Sequence, residues 1–202
     1  MPADAQRWDE RYRSESFSVG TEPTAFLQEA LPLLPRGRAL DLAMGAGRNA
    51  VFLAMNGWQV TGIDYSHTAL EKAAALAREH SLSIHWGNEP HRQFTTKSAG
   101  LLLLEADLEH SSLPSGQFEL VVCFNYLQRS LFAPIERALR TGGMLVYETY
   151  TVEQLSFPGG PHHPEHLLRP HELRAAFSVL EILFFREFRI GKGIASLLAR
   201  KP

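Results

Sequence analysis

With 202 residues, 45% hydrophobic and 21% charged, the chain has ordinary globular composition and length for one sizeable core, which excludes a disordered protein. A net charge of −2 with scattered Lys and Arg carries no footprint for nucleic acid or an anionic membrane surface. One cysteine excludes an internal disulfide, and neither a secretory signal in Met1–Arg13 nor a membrane-length apolar run occurs, so the expectation is one cytoplasmic domain, residues 1–202.

Residues 1–36 read as an N-terminal cap, helical or irregular, with Phe26, Leu27, Ala30 and Leu31 at helical spacing and Pro32 and Pro35 closing it. The first strand is expected at Ala39–Leu42, then a helix at Asn49–Met55 stopped by Asn56-Gly57, and a second strand at Gln59–Ile63. Ser66 or Thr68 caps the next helix, whose Leu70, Ala73, Ala74 and Ala77 share a face. The polar stretch Ser81–Gly100, with Trp86, Pro90 and Phe94, reads as an irregular excursion. Leu101–Leu104 is apolar throughout, as a strand buried on both faces should be.

A fourth strand follows at Phe118–Phe124, a short helix at Pro134–Leu139, and a fifth strand at Met144–Thr149. The segment 150–169 holds Pro158-Gly159-Gly160-Pro161 and several histidines, and reads as a lid loop. Pro170 suits the first turn of a helix ending near Phe177. Val179–Phe188 and Ile194–Ala199 flank Gly191-Lys192-Gly193 as an antiparallel pair. The alternation predicts an α/β, doubly wound, largely parallel sheet with one reversed strand.

Gly45-Ala46-Gly47, between a strand and a helix, leaves free backbone N–H groups and permits close approach of a ligand. The second strand ends in Asp64, a carboxylate able to accept both hydroxyls of a ribose. Two cofactors compete. Gly45-Ala46-Gly47-Arg48-Asn49-Ala50 satisfies the loose dinucleotide pattern, but Asp41, four residues before the first glycine, would repel a pyrophosphate. The same carboxylate suits the cationic amine of a methionine moiety. A nicotinamide-dependent reductase would also need a second catalytic set such as Tyr-x-x-x-Lys, which the sequence lacks. A non-catalytic cofactor-binding protein of the same fold stays open.

The sequence resembles the class I S-adenosylmethionine-dependent methyltransferases over nearly its whole length. More narrowly it is similar to the small bacterial branch of tellurite-resistance and thiopurine-methyltransferase-like enzymes. The marks are Trp8-Asp9-Glu10-Arg11-Tyr12, Gly20-Thr21-Glu22-Pro23, Asp41 to Ala50, Asp64-Tyr65-Ser66, Ala106-Asp107-Leu108 and Leu139 to Gly143. The resemblance implies a Rossmann-like, seven-stranded sheet in the order 3-2-1-4-5-7-6, strand seven antiparallel. It implies S-adenosyl-L-methionine as co-substrate, S-adenosylhomocysteine as product and a small-molecule methyl acceptor. It also implies roles by position. Gly45 and Gly47 would carry the turn against the methionine part, and Asp64 would bind the ribose hydroxyls. Asp107 and Leu108 would flank the adenine, Asn125 would lie beneath the sulfonium, and Tyr12, Asp41, Arg48, Asn49 and Tyr65 are further cofactor-binding candidates. Ala43 stands where many relatives have glycine.

Methyl transfer needs orientation and exclusion of water more than a strong acid–base pair. Trp8, Tyr12, Phe17 and Tyr126 are candidates for cation–π contact with the donor, against a simple anchoring role for Trp8 and Phe17. Tyr126 and Arg129, just past the fourth strand, and Glu148, ending the fifth, are the acceptor-side candidates. A surface pair for Arg129, and for Glu148 a salt bridge to Arg129 or Arg169, are the competing readings. His162, His163, His166 and His171 suggest no metal, because prolines break any helix that would align them. The expected partners are thus a small molecule, with neither nucleic acid nor membrane.

Overall fold

The protein is seen in a computed structural model that describes residues 3–14, 20–87 and 98–202. Phe17, Pro90 and Phe94 lie outside the described residues. Eight strands form one sheet: β1 (Arg38–Leu42), β2 (Gln59–Asp64), β3 (Ser83–Gly87), β4 (Gly100–Glu105), β5 (Phe118–Phe124), β6 (Leu139–Tyr150), β7 (Glu181–Arg189) and β8 (Gly193–Arg200). Their order is β3-β4-β2-β1-β5-β6-β8-β7. Only β8 runs against the rest, pairing antiparallel with β6 and β7. Without β3 this is the expected seven-strand order.

The eighth strand comes from the stretch expected to be irregular. Ser83–Gly87 adds parallel to β4 at the sheet edge, with Ile84 opposite Leu101 and Trp86 opposite Leu103. Its side chains are mostly half-buried or exposed, so the stretch lacks the apolar run that announces a central strand.

Alternation along the strands splits the core into two layers. Ala39, Val60, Leu101, Leu103, Val122 and Val146 face one cluster, packed by α2 (Ala25–Ala30), α3 (Arg48–Met55) and α4 (His67–Glu79). Leu40, Leu42, Leu102, Val121 and Leu145 face the other, with α5 (Phe132–Ala138) and α6 (Glu172–Ala176). Burial on both faces explains the unbroken Leu101–Leu104 run. Sequential strands leave β1 in both directions, to β2 on one side and β5 on the other. The chain order therefore reverses at the carboxyl ends of β1 and β5, where an open α/β sheet forms its ligand crevice.

The N-terminal cap contains α1 (Ala3–Arg13) and α2, and α1 packs along α4. Ser66 is the residue that caps α4, its hydroxyl accepting from the Ala69 N–H at 3.1 Å. Segment 151–169 is held at several points. Thr151 bridges Leu168, the Gln154 side chain accepts from the Gly193 N–H at 3.0 Å, and Leu167 and Leu168 are buried.

Candidate functional site

The carboxyl end of β1 departs from ordinary backbone at once. Ala43 has φ 52°, Gly45 φ 56° and Gly47 φ 80°, three left-handed residues in five. Glycine adopts that region freely, whereas alanine pays for it. Two of the three positions also admit no side chain: a Cβ on Gly45 would lie 2.5 Å from the Tyr12 hydroxyl, and one on Gly47 2.6 Å from the Ala73 Cβ. The turn thus brings its main chain under Tyr12 and delivers Gly47 as the cap of α3.

Asp64 braces this turn. Its Oδ2 accepts from the Gly45 N–H at 2.7 Å and its Oδ1 from the Ser66 N–H at 2.9 Å. Burial pushes its carboxyl above the usual range, partly offset by these backbone N–H bonds. Ser66 in turn donates to Asp9 Oδ1 at 2.6 Å, and the Thr68 N–H reaches the same oxygen at 3.1 Å. One helix of the cap therefore supplies Tyr12 over the glycine turn and Asp9 at the start of α4.

Among the described residues Asp41 alone has a fully buried carboxylate oxygen without a partner. It is 2% exposed, and among the described residues no donor reaches its Oδ2. Burial raises its pKa to about 8, the charge of Asp64 adding to the shift and Arg48 opposing it. An orphaned buried carboxylate oxygen costs free energy until a donor or cation meets it. A group with an ammonium held at the glycine turn would meet that need, and a pyrophosphate would not.

The other predicted cofactor residues lie along the same carboxyl edge. Asp64 is level with Glu105 of β4, and the Ala106 N–H bonds the Asp64 carbonyl at 3.0 Å, so the Ala106-Asp107-Leu108 turn leaves beside Asp64. Leu108 is buried; Asp107 accepts from the Glu109 N–H at 2.8 Å and faces His110 at 2.7 Å. Asn49 is buried, its Oδ1 accepting from the Thr24 N–H and hydroxyl at 2.9 and 3.0 Å, and so ties α3 to the cap. Asn125, past β5, has φ 57° and its N–H bonds the Glu148 carbonyl at 2.9 Å. A non-glycine residue held left-handed at a strand end is a recurrent mark of a functional edge. Arg48 opens α3, and Tyr65 lies directly after Asp64.

The three acceptor-side candidates part company. Arg129 donates to both Glu172 oxygens, at 2.5 and 3.0 Å, and to the Glu165 and Leu167 carbonyls, at 2.9 Å each. Its fork anchors segment 151–169 in place. Tyr126 bonds the Gln128 side chain and packs against the second core layer, burial driving its hydroxyl pKa upward. Glu148 is 4% exposed and by alternation shares the Asp41 face. It pairs with neither Arg129 nor Arg169. Its Oε2 accepts from the Ser196 hydroxyl at 2.5 Å and lies 3.9 Å from Arg186. Ser196 and Arg186 escaped the sequence reading because only the β6–β8–β7 register brings them beside Glu148.

Trp8 stacks near Tyr12, ring centres 6.1 Å apart, with Arg11 5.0 Å over its face. Among the described residues no group of three His, Cys, Asp or Glu side chains is placed to hold a metal, and no helix is long and apolar enough to cross a membrane.

Comparison with known proteins gives concordant results. Curated relatives include the ubiquinone biosynthesis O-methyltransferase of Bordetella avium, 24% identical over 75% of this chain and 64% of that one. The ribosomal RNA small subunit methyltransferase B of Thermus thermophilus is 26% identical over 83% of this chain and 46% of its own. The chain spans less than two thirds of the length of either relative. Among solved structures, TehB from Haemophilus influenzae superposes with TM-score 0.70 at 16% identity, covering 98% of this chain and 67% of TehB. An S-adenosylmethionine dependent methyltransferase from Mesorhizobium loti gives 0.63 at 20% identity, covering 90% and 100%. The methyltransferase domain family matches residues 40–147, from within β1 to Tyr147 in β6 and over half of the sequence, and the chain belongs to that family.

Proposed function

We propose that the chain transfers a methyl group from S-adenosylmethionine to a small-molecule acceptor. The observation that carries this reading is the unpartnered, buried Asp41 oxygen on the strand that leads into the Gly45–Gly47 turn. In it, Asp41 and Arg48 with the glycine turn hold the amino-acid end of the donor, Tyr12 covers it, and Asn49 fixes the start of α3. Asp64 and Tyr65 hold the ribose, Asp107 and Leu108 flank the adenine, and Asn125 lies beside the reacting centre. The bound donor supplies an electrophilic methyl on a sulfonium, with S-adenosylhomocysteine as the leaving group. These residues orient the donor and exclude water, which is most of what an in-line displacement requires.

A small molecule is favoured as acceptor because the net charge is −2 and Lys and Arg form no basic tract. The Thermus relative acts on ribosomal RNA, and the Bordetella relatives' names point to ubiquinone precursors. Placement in the tellurite-resistance and thiopurine-like branch rests on the order of the sequence marks, to which the TehB likeness adds the fold alone. A cytoplasmic setting is supported by the lone, buried Cys123.

Thermal unfolding with S-adenosylhomocysteine, with NADH and without ligand tests the reading. A rise with the first ligand alone is expected. A rise with NADH and none with S-adenosylhomocysteine would sink it. Transfer of label from tritiated donor into a metabolite extract then separates an enzyme from a protein that only binds.

A further inference from the structure

Glu148, Ser196, Arg186 and Glu29 form a chain of polar groups on the Asp41 face of the sheet, off the donor-holding turn. Ser196 is fully buried and its hydroxyl is used twice, donating to Glu148 Oε2 at 2.5 Å and accepting from Arg186 Nε at 3.3 Å. The Arg186 guanidinium lies 3.9 Å from Glu148 and 3.9 Å from Glu29 of α2. It also lies 5.4 Å over Phe26 and 5.6 Å over Phe184, whose rings are 5.7 Å apart. Two aromatic faces and two carboxylates thus hold one cation at a fixed place between β7 and the cap.

The consequence for Glu148 is asymmetric. Oε2 accepts one hydrogen bond, from Ser196, with the Arg186 guanidinium 3.9 Å away, while among the described residues Oε1 accepts no hydrogen bond. Asp41 is level with Val122 of β5, and Phe124 with Glu148 of β6. Two strand spacings and two residues along the strand separate the Cα positions of Asp41 and Glu148, roughly 11–12 Å. Asn125, the left-handed residue, bonds the Glu148 main chain between them. A carboxylate oxygen accepts hydrogen bonds and donates none, so whatever meets Oε1 must bring a hydrogen.

We propose that Glu148 is the acceptor-binding base and that Ser196 and Arg186 are its positioning residues, selecting an acceptor methylated on a hydroxyl oxygen or an amine nitrogen. This rests on the methyltransferase reading above. The acceptor O or N lone pair forms the bond to the methyl carbon. The carbon–sulfur bond breaks with its electron pair onto sulfur, and the acceptor hydrogen passes to Glu148 Oε1 and then to solvent. A carboxylate or thiolate acceptor has no hydrogen to offer and would meet a carboxylate of like charge, and a neutral thiol brings only a weak S–H donor.

The test uses the full chain, tritiated donor and a fractionated metabolite extract, with the methylated atom identified by mass spectrometry and base lability. Label on oxygen or nitrogen, stable to base, is expected. Glu148→Gln should lower transfer at least about 100-fold, with the thermal shift by S-adenosylhomocysteine unchanged. Ser196→Ala and Arg186→Met should each lower the turnover number about tenfold while donor KM holds, and Arg186→Lys should recover part of it. Label on sulfur, tellurium or a carboxylate, or full activity in Glu148→Gln, overturns the acceptor assignment and leaves the methyltransferase reading standing. An unchanged thermal shift with no label from the wild-type chain overturns both, and absence of the shift overturns the donor site itself.

Discussion

Asp41 and Ala43, two residues apart, each carry a cost in the ligand-free chain, one of desolvation and one of backbone conformation. With its pKa raised to about 8 by burial, Asp41 binds a proton in the folded chain that it has released in the unfolded one, between about pH 4 and pH 8. Its contribution is therefore fully present below pH 4 and declines as pH rises through 8. Within that window stability should fall by about 1.4 kcal/mol per pH unit, other groups apart. Asp41→Asn should flatten the slope in the ligand-free protein and abolish stabilisation by S-adenosylhomocysteine. A slope unchanged in thermal melts across pH 5–8.5 would refute the assignment. Ala43 holds φ 52°, which costs alanine about 1 kcal/mol, so Ala43→Gly should stabilise the ligand-free chain by about 0.5–1 kcal/mol, read as a shifted urea midpoint.

The elements with most at stake are α1 and segment 151–169. Helix α1 is docked through Asp9, which is 4% exposed and accepts from Ser66 and Thr68, while its ion pair to Arg13 at 3.5 Å faces solvent. The exposed pair adds little. Asp9→Ala should free α1 at a cost of about 1–3 kcal/mol, seen as faster hydrogen exchange over residues 3–13 and 44–47 with β1 and β5 unchanged. Segment 151–169 depends on Arg129, whose bidentate pair with Glu172 is partly solvent-exposed. Arg129→Ala should therefore cost only about 1 kcal/mol globally but open residues 157–168 to proteolysis. Undiminished methyl transfer in that variant would assign Arg129 to anchoring alone.

For the molecule as a whole, donor-site occupancy and folding are one equilibrium. A ligand at 100 times its dissociation constant adds about 2.7 kcal/mol, which for a chain of this size is a shift of about 5–10 °C. Asp64 is where the two would meet most directly, since its oxygens brace Gly45 and Ser66 and the proposed function gives the same carboxylate the ribose. Asp64→Ala should lower the ligand-free melting temperature and remove the ligand shift together, and a variant that lost only the second would separate ribose binding from bracing.

Local patterns were enough for the central architecture. Buried strands such as Leu101–Leu104 and Phe118–Phe124 are contiguous apolar runs, and the strand–glycine–helix junction at Asp41–Ala50 is written within ten residues, so both are legible one element at a time. Edge strand β3 was not, because half-exposed residues carry no run and its partner lies across the segment that follows it. Glu148 was visible as a carboxylate ending a strand, but its partners Ser196 and Arg186 stand 48 and 38 positions away. Their meeting is a product of antiparallel register. The orphaned oxygen of Asp41 is likewise a property of burial and of what fails to reach it. Sequence by itself determined the residues within a single turn or strand. Tertiary structure decided which polar groups from distant strands share one dry face, because hydrogen bonding and desolvation are settled by neighbours in space.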